Sequence, residues 1–285
     1  MIEQHTYTQR SKLPVAVENY DGAGWWPAPD PDHLVQLARF AAIGLDEMAG
    51  VTLLDRTETK FVFHERQLDR LLLALTPTYR VLEISDSRLN HYRTLYFDTP
   101  DFVLFRRHQA GGRNRYKVRS RSYLDSGLSF LEIKHKVKRN RTIKRRVATA
   151  EMAEGLSAEF SDFLDAFLPG EIERLEPKLW NEYTRVTLVS VDRPERVTLD
   201  LFLQFRGCGE TFILPGVAIA EVKREKGHNE SEFVHLMKGE RIRPTGFSKY
   251  CIGVSMLYPA IKHNHFNPKL QMVSNIIREE YEYVF

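Results

Sequence analysis

The chain has 285 residues, a formal charge of +3 and an apolar fraction of 42%, with 28% of its residues charged, which fits a folded protein with a substantial core rather than a disordered one. Its two cysteines, Cys208 and Cys251, share no motif and suggest no disulfide framework, in keeping with a reducing cytosol. No apolar run reaches the length of a membrane helix and MIEQHTYTQRSK lacks the apolar core of a signal peptide, so a cytoplasmic protein with no membrane span is expected.

Residues 1–30 are polar and broken by Gly22, Gly24, Pro27 and Pro29. They read as a loosely structured arm, with Trp25 and Trp26 as an anchor on the body. One domain is expected over 31–262, followed by a tail over 263–285. Leu34, Leu37, Ala41 and Leu45 form one apolar stripe, which predicts a helix over 32–48 capped by Asp32. A strand follows at 56–63, with Glu58 and Lys60 on one parity and Phe61 and Phe63 on the other. A short helix over 65–76 stops near Pro77. A second strand covers 91–98, and 98–101 is a turn or helix start.

The next stretch dominates the charge. From 106 to 146 there are fifteen Lys or Arg against two acids, Asp125 and Glu132, which is +13 locally and leaves −10 for the rest of the chain. Arg115, Lys117, Arg119 and Arg121 recur every second residue, so in a strand they share a face. Asp125-Ser126-Gly127 is a turn, after which Glu132, Lys134 and Lys136 share one parity and Leu131 and Ile133 the other. The segment is a hairpin with one cationic face. Further strands are expected at 141–147 (Lys144, Arg146), 180–191 (Tyr183, Arg185), 195–202 (Arg196, Asp200) and 217–223 (Glu221, Lys223), with helices at 158–167, 230–238 and 251–258. The tail after Lys262 is weakly amphipathic.

A half-buried sheet with a solvated polar face would explain any one of these strands. It does not explain why the inward set is so cationic. Lys60, Arg93, Arg115, Lys117, Arg119, Arg121, Lys134, Lys136, Lys144, Arg146, Arg185, Arg196 and Lys223 stand against Glu58, Glu132, Asp200 and Glu221. If the strands close into a barrel, these faces converge on a tunnel. Two like charges about 6 Å apart repel by roughly 3 kcal/mol at an effective dielectric near 20. A polyanion would offset that cost, and a divalent cation would suit the few carboxylates.

RTETKF (56–61), HYRTLYFDTPDF (91–102), RNRYKVRSR (113–121), FLEIKHK (130–136), RTIKRR (141–146), YTR (183–185), ERVTLDL (195–201), AEVK (220–223) and FSKY (247–250) occur in an order and spacing that resemble the VTC domain. This is the polyphosphate polymerase domain of the triphosphate tunnel metalloenzyme superfamily. The resemblance implies an α+β fold: an eight-stranded antiparallel β-barrel forming a basic tunnel, with flanking helices. It implies transfer of the γ-phosphate of ATP to a growing polyphosphate chain, with Mn2+ or Mg2+. Carried over, Lys60, Arg119, Arg121, Lys134, Arg185, Arg196, Lys223 and Lys249 bind phosphates at the catalytic centre. Arg93, Arg115, Lys117, Lys136, Lys144, Arg146, Tyr183 and Ser248 add phosphate contacts, and Lys134 and Lys136 both have the parity of the family's lysine on that strand. Glu221 is the main metal ligand, with Glu132 or Glu58. Arg56 stands where the superfamily signature Glu-x-Glu-x-Lys has its first Glu, which argues against a two-metal hydrolase. The phosphate-sensing SPX region and membrane span of eukaryotic VTC subunits are not found, so a free-standing, bacterial member is expected.

The nearest alternative is a tripolyphosphatase or triphosphate hydrolase using the same tunnel with water as acceptor. Another is a non-catalytic polyphosphate-binding module. Nucleic-acid binding through 106–146 is set aside because a tunnel excludes duplex. Gly111-Gly112 is no P-loop, His263 and His265 read as a solvated tail, and His108 and His135 read as structural or phosphate-contacting. Nothing in the sequence signals an oligomeric state.

Overall fold

The computed structural model describes residues 30–49, 56–112, 114–138, 141–170, 174–227 and 230–283. The expected N-terminal arm with Trp25 and Trp26 lies outside the described residues. The strands are β1 (Ala41–Ile43), β2 (Arg56–His64), β3 (Tyr79–Leu82), β4 (Asn90–Asp98), β5 (Arg115–Tyr123), β6 (Leu128–Lys138), β7 (Arg141–Thr149), β8 (Glu176–Ser190), β9 (Glu195–Gly207), β10 (Glu210–Leu214) and β11 (Val217–Glu225). The helices are α1 (Pro31–Ala38), α2 (Leu45–Ala49), α3 (Leu68–Leu75), α4 (Val103–Gln109), α5 (Ser161–Phe167), α6 (Glu232–Gly239), α7 (Lys249–Leu257) and α8 (Asn267–Tyr283). No helix among the described residues is long and apolar enough to cross a membrane.

Eight strands run side by side in the order β2-β11-β9-β8-β4-β5-β6-β7, all antiparallel to their neighbours. The sheet curls because each strand's apolar parity is buried on the outside. Phe61, Phe63, Val197, Leu199, Ala220 and Val222 pack under Leu71 and Leu72 of α3 and Phe233 and Met237 of α6. Leu95, Phe97, Val118, Leu131 and Ile133 pack with Leu104 of α4 and Phe160. The other parity, which carries the charge, lines the concave side. The curl is tight enough that Lys134, on the seventh strand of the path, acts on the carboxylate of Glu58 on the first.

One end of the concave face is apolar. Val62, Leu179, Leu203, Phe205, Val217 and Ile219 meet α7 there. Every residue of α7 from Tyr250 to Leu257 is buried, as expected for a helix that is apolar all round. Its close approach depends on Gly253, where a Cβ would lie 2.7 Å from Leu179 Cδ2 and 2.8 Å from Phe205 Cδ1. The helix is tied down at Asp98, whose carboxylate accepts from the backbone N–H groups of Thr99, Leu104 and Phe105 at 2.7–2.9 Å and from the Tyr250 hydroxyl.

The structure departs from the sequence reading in several places. The helix expected over 32–48 is interrupted by β1, which pairs with the edge of β3; both are too short to announce themselves, and sheet pairing overrides the apolar stripe. The N-cap of α1 is Asp30, accepting from Asp32 N at 2.9 Å with Pro31 in the first turn, rather than Asp32. The helix start expected at 98–101 falls a few residues later, at Val103 of α4, with the carboxylate of Asp98 accepting from Leu104 N and Phe105 N. The weakly amphipathic tail is α8, whose Leu270, Val273, Ile276 and Ile277 complete the core around α7.

Gly253→Ala is expected to overpack this contact and lower unfolding stability by about 1–3 kcal/mol in denaturant titration. Gly239→Ala, where a Cβ meets nothing within 4 Å, is the control and should leave stability nearly unchanged.

Candidate phosphate-binding tunnel

Strand register sets the composition of the concave face. Arg119 faces Glu132 across β5 and β6, Lys117 faces Lys134, and Lys134 faces Lys144 on β7. On the other wall Glu221 faces Lys60, Lys223 faces Arg196, and Arg185 faces Asp200. Each of the four carboxylates is held by cations. Arg119 donates to Glu132 from Nε at 2.7 Å and Nη2 lies at 2.6 Å, with Lys144 on the other oxygen. Glu221 lies between Lys60 Nζ at 2.8 Å and Lys223 Nζ at 2.6 Å. Asp200 takes Arg185 through Nε and Nη2, and Lys249 as well. Glu58 accepts from Arg56 Nε at 3.1 Å.

These pairs decide the protonation states. Burial pushes the Glu132 carboxyl up, but Arg119, Arg121 and Lys144 outweigh it and hold its pKa at about 2. Burial is likewise overcome at Asp200 by Arg185 and Lys249 and at Glu221 by Lys60 and Lys223, so both stay far below the usual carboxylate range. The lysines are pushed the other way. Burial, reinforced by neighbouring cations, brings Lys117, Lys134, Lys223 and Lys249 down to about 8 from 10.5. Lys60 is the exception, because Glu221 outweighs its burial and raises it.

The cationic donors are not all used. Among the described residues Lys134 has no hydrogen bond or ion pair, and the buried Nε atoms of Arg115 and Arg196 have no partner. The buried Tyr183 hydroxyl has none either. Tyr183 stacks on Tyr92 at 5.2 Å, with Arg185 over both rings at 5.2 and 4.8 Å and Lys249 over Tyr183 at 4.3 Å. The N-terminus of α7 also opens here: Lys117 Nζ donates to Ser248 Oγ at 2.8 Å and Lys60 Nζ to Phe247 O at 3.4 Å. Fixed donors without acceptors around a crowd of cations make a receptor for a polyanion.

The structure gathers Lys60, Lys117, Arg119, Arg121, Lys134, Arg185, Arg196, Lys223 and Lys249 with Tyr183 and Ser248 on this face. Arg115 and Lys136 lie on it towards the opposite end of β5 and β6 from Arg121, and Lys144 and Arg146 on the outermost strand, Arg146 over the Phe130 ring at 4.4 Å. Arg93 is a correction. It projects to the convex side, where its Nε donates to Glu182 at 2.6 Å, because Leu95 and Phe97 of the same parity are needed in the outer core. Tyr92, Thr94 and Tyr96 take the inner positions instead, and Thr94 accepts from Arg121 Nε at 3.1 Å. Both parities of HYRTLYFD carry bulky residues, so the alternation by itself does not say which of them faces inward.

Of the two helpers expected for Glu221, Glu58 is the one that acts on it, whereas Glu132 is bound to Arg119 and Lys144; among the described residues no three His, Cys, Asp or Glu side chains are grouped to hold an ion. Asp200 had been read only as one of the acids on this face; the structure makes it the clasp of Arg185 and Lys249. His135 lies on the convex parity, stacked on Tyr116 at 4.0 Å, and His108, its pKa brought down to about 3 by burial, contacts Tyr116 O.

Residues 55–258 match the model of the VTC domain. The chain belongs to the VTC domain family. Solved structures similar to this VTC domain include a candidate adenylate cyclase from Bacillus halodurans, 17% identical, with a TM-score of 0.44, covering 68% of this chain and 94% of that one. Another is a candidate adenylate cyclase from Vibrio parahaemolyticus, 14% identical, with a TM-score of 0.42, covering 69% and 97%. A third is a candidate adenylyl cyclase from Hippeastrum described as having a dominant triphosphatase activity, 14% identical, with a TM-score of 0.40, covering 70% and 96%. No curated protein sequence matches the chain.

The four lysines predict a pH signature. Their pKa values fall from 10.5 in the unfolded chain to about 8 in the fold, so between those values the unfolded state binds more protons and stability rises with pH. The Tm of the ligand-free protein should gain from this between pH 8 and 10, by differential scanning fluorimetry. Saturating triphosphate should shrink the gain, because an anion restores the lysine pKa values.

Proposed function

We propose that this VTC domain is a polyphosphate polymerase that transfers the γ-phosphate of ATP to the end of a polyphosphate chain held in the tunnel. The observation that carries this reading is that every carboxylate of the concave face is ion-paired and held below its ordinary range, while cationic donors remain unused. Such a face suits phosphates and offers no carboxylate poised as a general base. A phosphate acceptor needs none, since its terminal oxygen is already anionic.

The chain-end oxygen forms the new bond to the γ-phosphorus. The bond from that phosphorus to the β–γ bridging oxygen breaks, and ADP leaves with the electron pair. Arg119, Arg121, Arg185 and Arg196 would grip equatorial oxygens with paired N–H donors, and Lys60, Lys134, Lys223 and Lys249 would act as point charges on the ATP and acceptor phosphates. Their service is alignment and charge stabilisation, not covalent chemistry.

Glu221, with Glu58 beside it, fits a divalent cation, since magnesium and manganese are commonly held by one or two carboxylates together with phosphate oxygens and water. Bound there, Mn2+ or Mg2+ would supply further neutralisation of the transferring phosphate. Arg56 leaves Glu58 partly neutralised, which suits one ion better than two.

Incubation with ATP and Mn2+ should yield long polyphosphate on a gel with matching ADP. Free phosphate without polymer would make the protein a triphosphate hydrolase, and neither product would leave a binding module. Glu221→Gln should abolish metal-dependent turnover while a thermal shift with triphosphate persists; unchanged turnover would remove Glu221 from the site. Arg119→Ala with Arg121→Ala should weaken triphosphate binding by at least tenfold, about 1.4 kcal/mol, in calorimetry.

A further inference from the structure

The concave face is cationic, yet one of its rims is aromatic. A run of rings rises from the depth of the tunnel to the end formed by the β5–β6 hairpin. Tyr183 stacks on Tyr92 at 5.2 Å, Tyr92 meets Tyr123 edge-on at 5.0 Å, and Tyr123 meets Phe130 edge-on at 5.9 Å. Exposure increases along the run. Tyr183 and Tyr92 are buried, Tyr123 and Phe130 are half-buried, and Leu128, which faces Tyr123 across the hairpin, is exposed. The deep rings already hold cations, with Arg121 and Arg185 over both and Lys249 over Tyr183.

Over Phe130 at the rim lies Arg146, at 4.4 Å. In the β6–β7 register Arg146 stands across from Glu132, but that carboxylate is taken by Arg119 and Lys144. Among the described residues Arg146 makes no hydrogen bond or ion pair, and it is exposed. Ala148, opposite Phe130 on β7, is too small to cover the ring. The other end of the face differs. Its aromatic residues Tyr96, Phe247 and Tyr250 are buried in the packing of α7. Partly open rings therefore stand at the hairpin end. Along β5 the rim residue Tyr123 is followed inward by Arg121 and Arg119, at roughly 7 and 13 Å by the rise of a strand. A ring followed by a row of cations matches the order of parts in a nucleoside triphosphate.

We propose that Tyr123, Phe130 and Arg146 form the nucleoside subsite of the tunnel. The base stacks against the Phe130–Arg146 pair, the ribose rests beside Tyr123 and Leu128, and the phosphates run inward along β5 to Arg121 and Arg119. The inference rests on the reading of ATP as the phosphate donor, and it moves Arg146 from a phosphate contact to a base contact. It also gives the tunnel a direction. The donor enters at the hairpin rim, and the acceptor chain lies beyond the γ-phosphate, towards the Lys117–Lys134 and Arg115–Lys136 pairs further along β5 and β6.

The test is calorimetry in metal-free buffer, where no turnover consumes the ligand, comparing ATP with inorganic triphosphate. Phe130→Ala should weaken ATP binding roughly fivefold or more and leave triphosphate within about twofold. Phe130→Leu keeps apolar volume and removes the ring, so it should show the same split should the alanine variant not fold. Arg146→Gln should also cost more for ATP than for triphosphate. Equal losses for both ligands would make the rim one more phosphate contact and overturn the proposal, as would ATP binding that all three variants leave unchanged. Binding separates this inference from the polymerase reading. A parent that makes no polymer, with ATP selectively weakened in Phe130→Leu, keeps the nucleoside subsite and sinks the polymerase. Polymer formation with ATP binding insensitive to Phe130 does the reverse, and a parent that binds triphosphate but not ATP overturns both.

Discussion

Repulsion among like charges is the constraint around which this molecule is arranged. Strand alternation forces the lysines and arginines of successive strands onto one side of the sheet, and the curl brings the two ends of that sheet within reach of each other. Four carboxylates make the arrangement tolerable. Each sits opposite or beside the cations it neutralises, because the antiparallel register places Glu132 against Arg119, Glu221 against Lys60 and Asp200 against Arg185. A slip of one residue in any of these strands would turn the carboxylate outward and leave its cations unpaired in a buried site. The compensation is incomplete: burial, with neighbouring cations behind it, still holds Lys117 and Lys223 below the usual lysine range, and a bound anion would offset both.

The second constraint is geometric. A barrel filled with charge from end to end would have nothing to pack, and one filled with apolar residues would have no site. Here the inner parity changes character along each strand, from Glu58 and Lys60 to Val62 on β2 and from Lys223 and Glu221 to Ile219 on β11. α7 occupies the apolar end and its N-terminus opens into the charged end. The corner at Asp98 ties that helix to β4 and α4, so the placement of Ser248 and Lys249 depends on a buried carboxylate that accepts from α4 and from Tyr250 of α7. This is how packing positions the chemistry: Gly253 lets α7 approach the wall closely, and the approach sets where the helix terminus meets Lys60, Lys117 and Asp200.

Both constraints bear on function through the same feature. A face whose acids are all committed to cations is suited to hold and align phosphates, and phosphoryl transfer asks little more of a protein. Arg56 belongs to this logic, since it adds another cation to the one carboxylate, Glu58, that is otherwise least firmly held.

The sequence by itself determined the curled charged sheet, because a period of two in Arg115, Lys117, Arg119 and Arg121 and in Glu221 and Lys223 specifies strand and face together. Asp125-Ser126-Gly127 was equally legible as the hairpin turn, with Gly127 at φ 66°. It did not determine β1, β3 or α8, whose short or weak patterns acquire meaning only from the partners that bury them. It also misplaced Arg93, since on β4 both parities contain bulky residues and only the outer core under α4 decides that Leu95 and Phe97 must face away from the tunnel. Asp200 as the clasp of Arg185 and Lys249, and the separation of Glu132 from Glu221 and Glu58, were decided by tertiary structure alone. Parity says which side of a sheet a carboxylate occupies, but which cation reaches it first depends on curvature and on the helix plugged into the end.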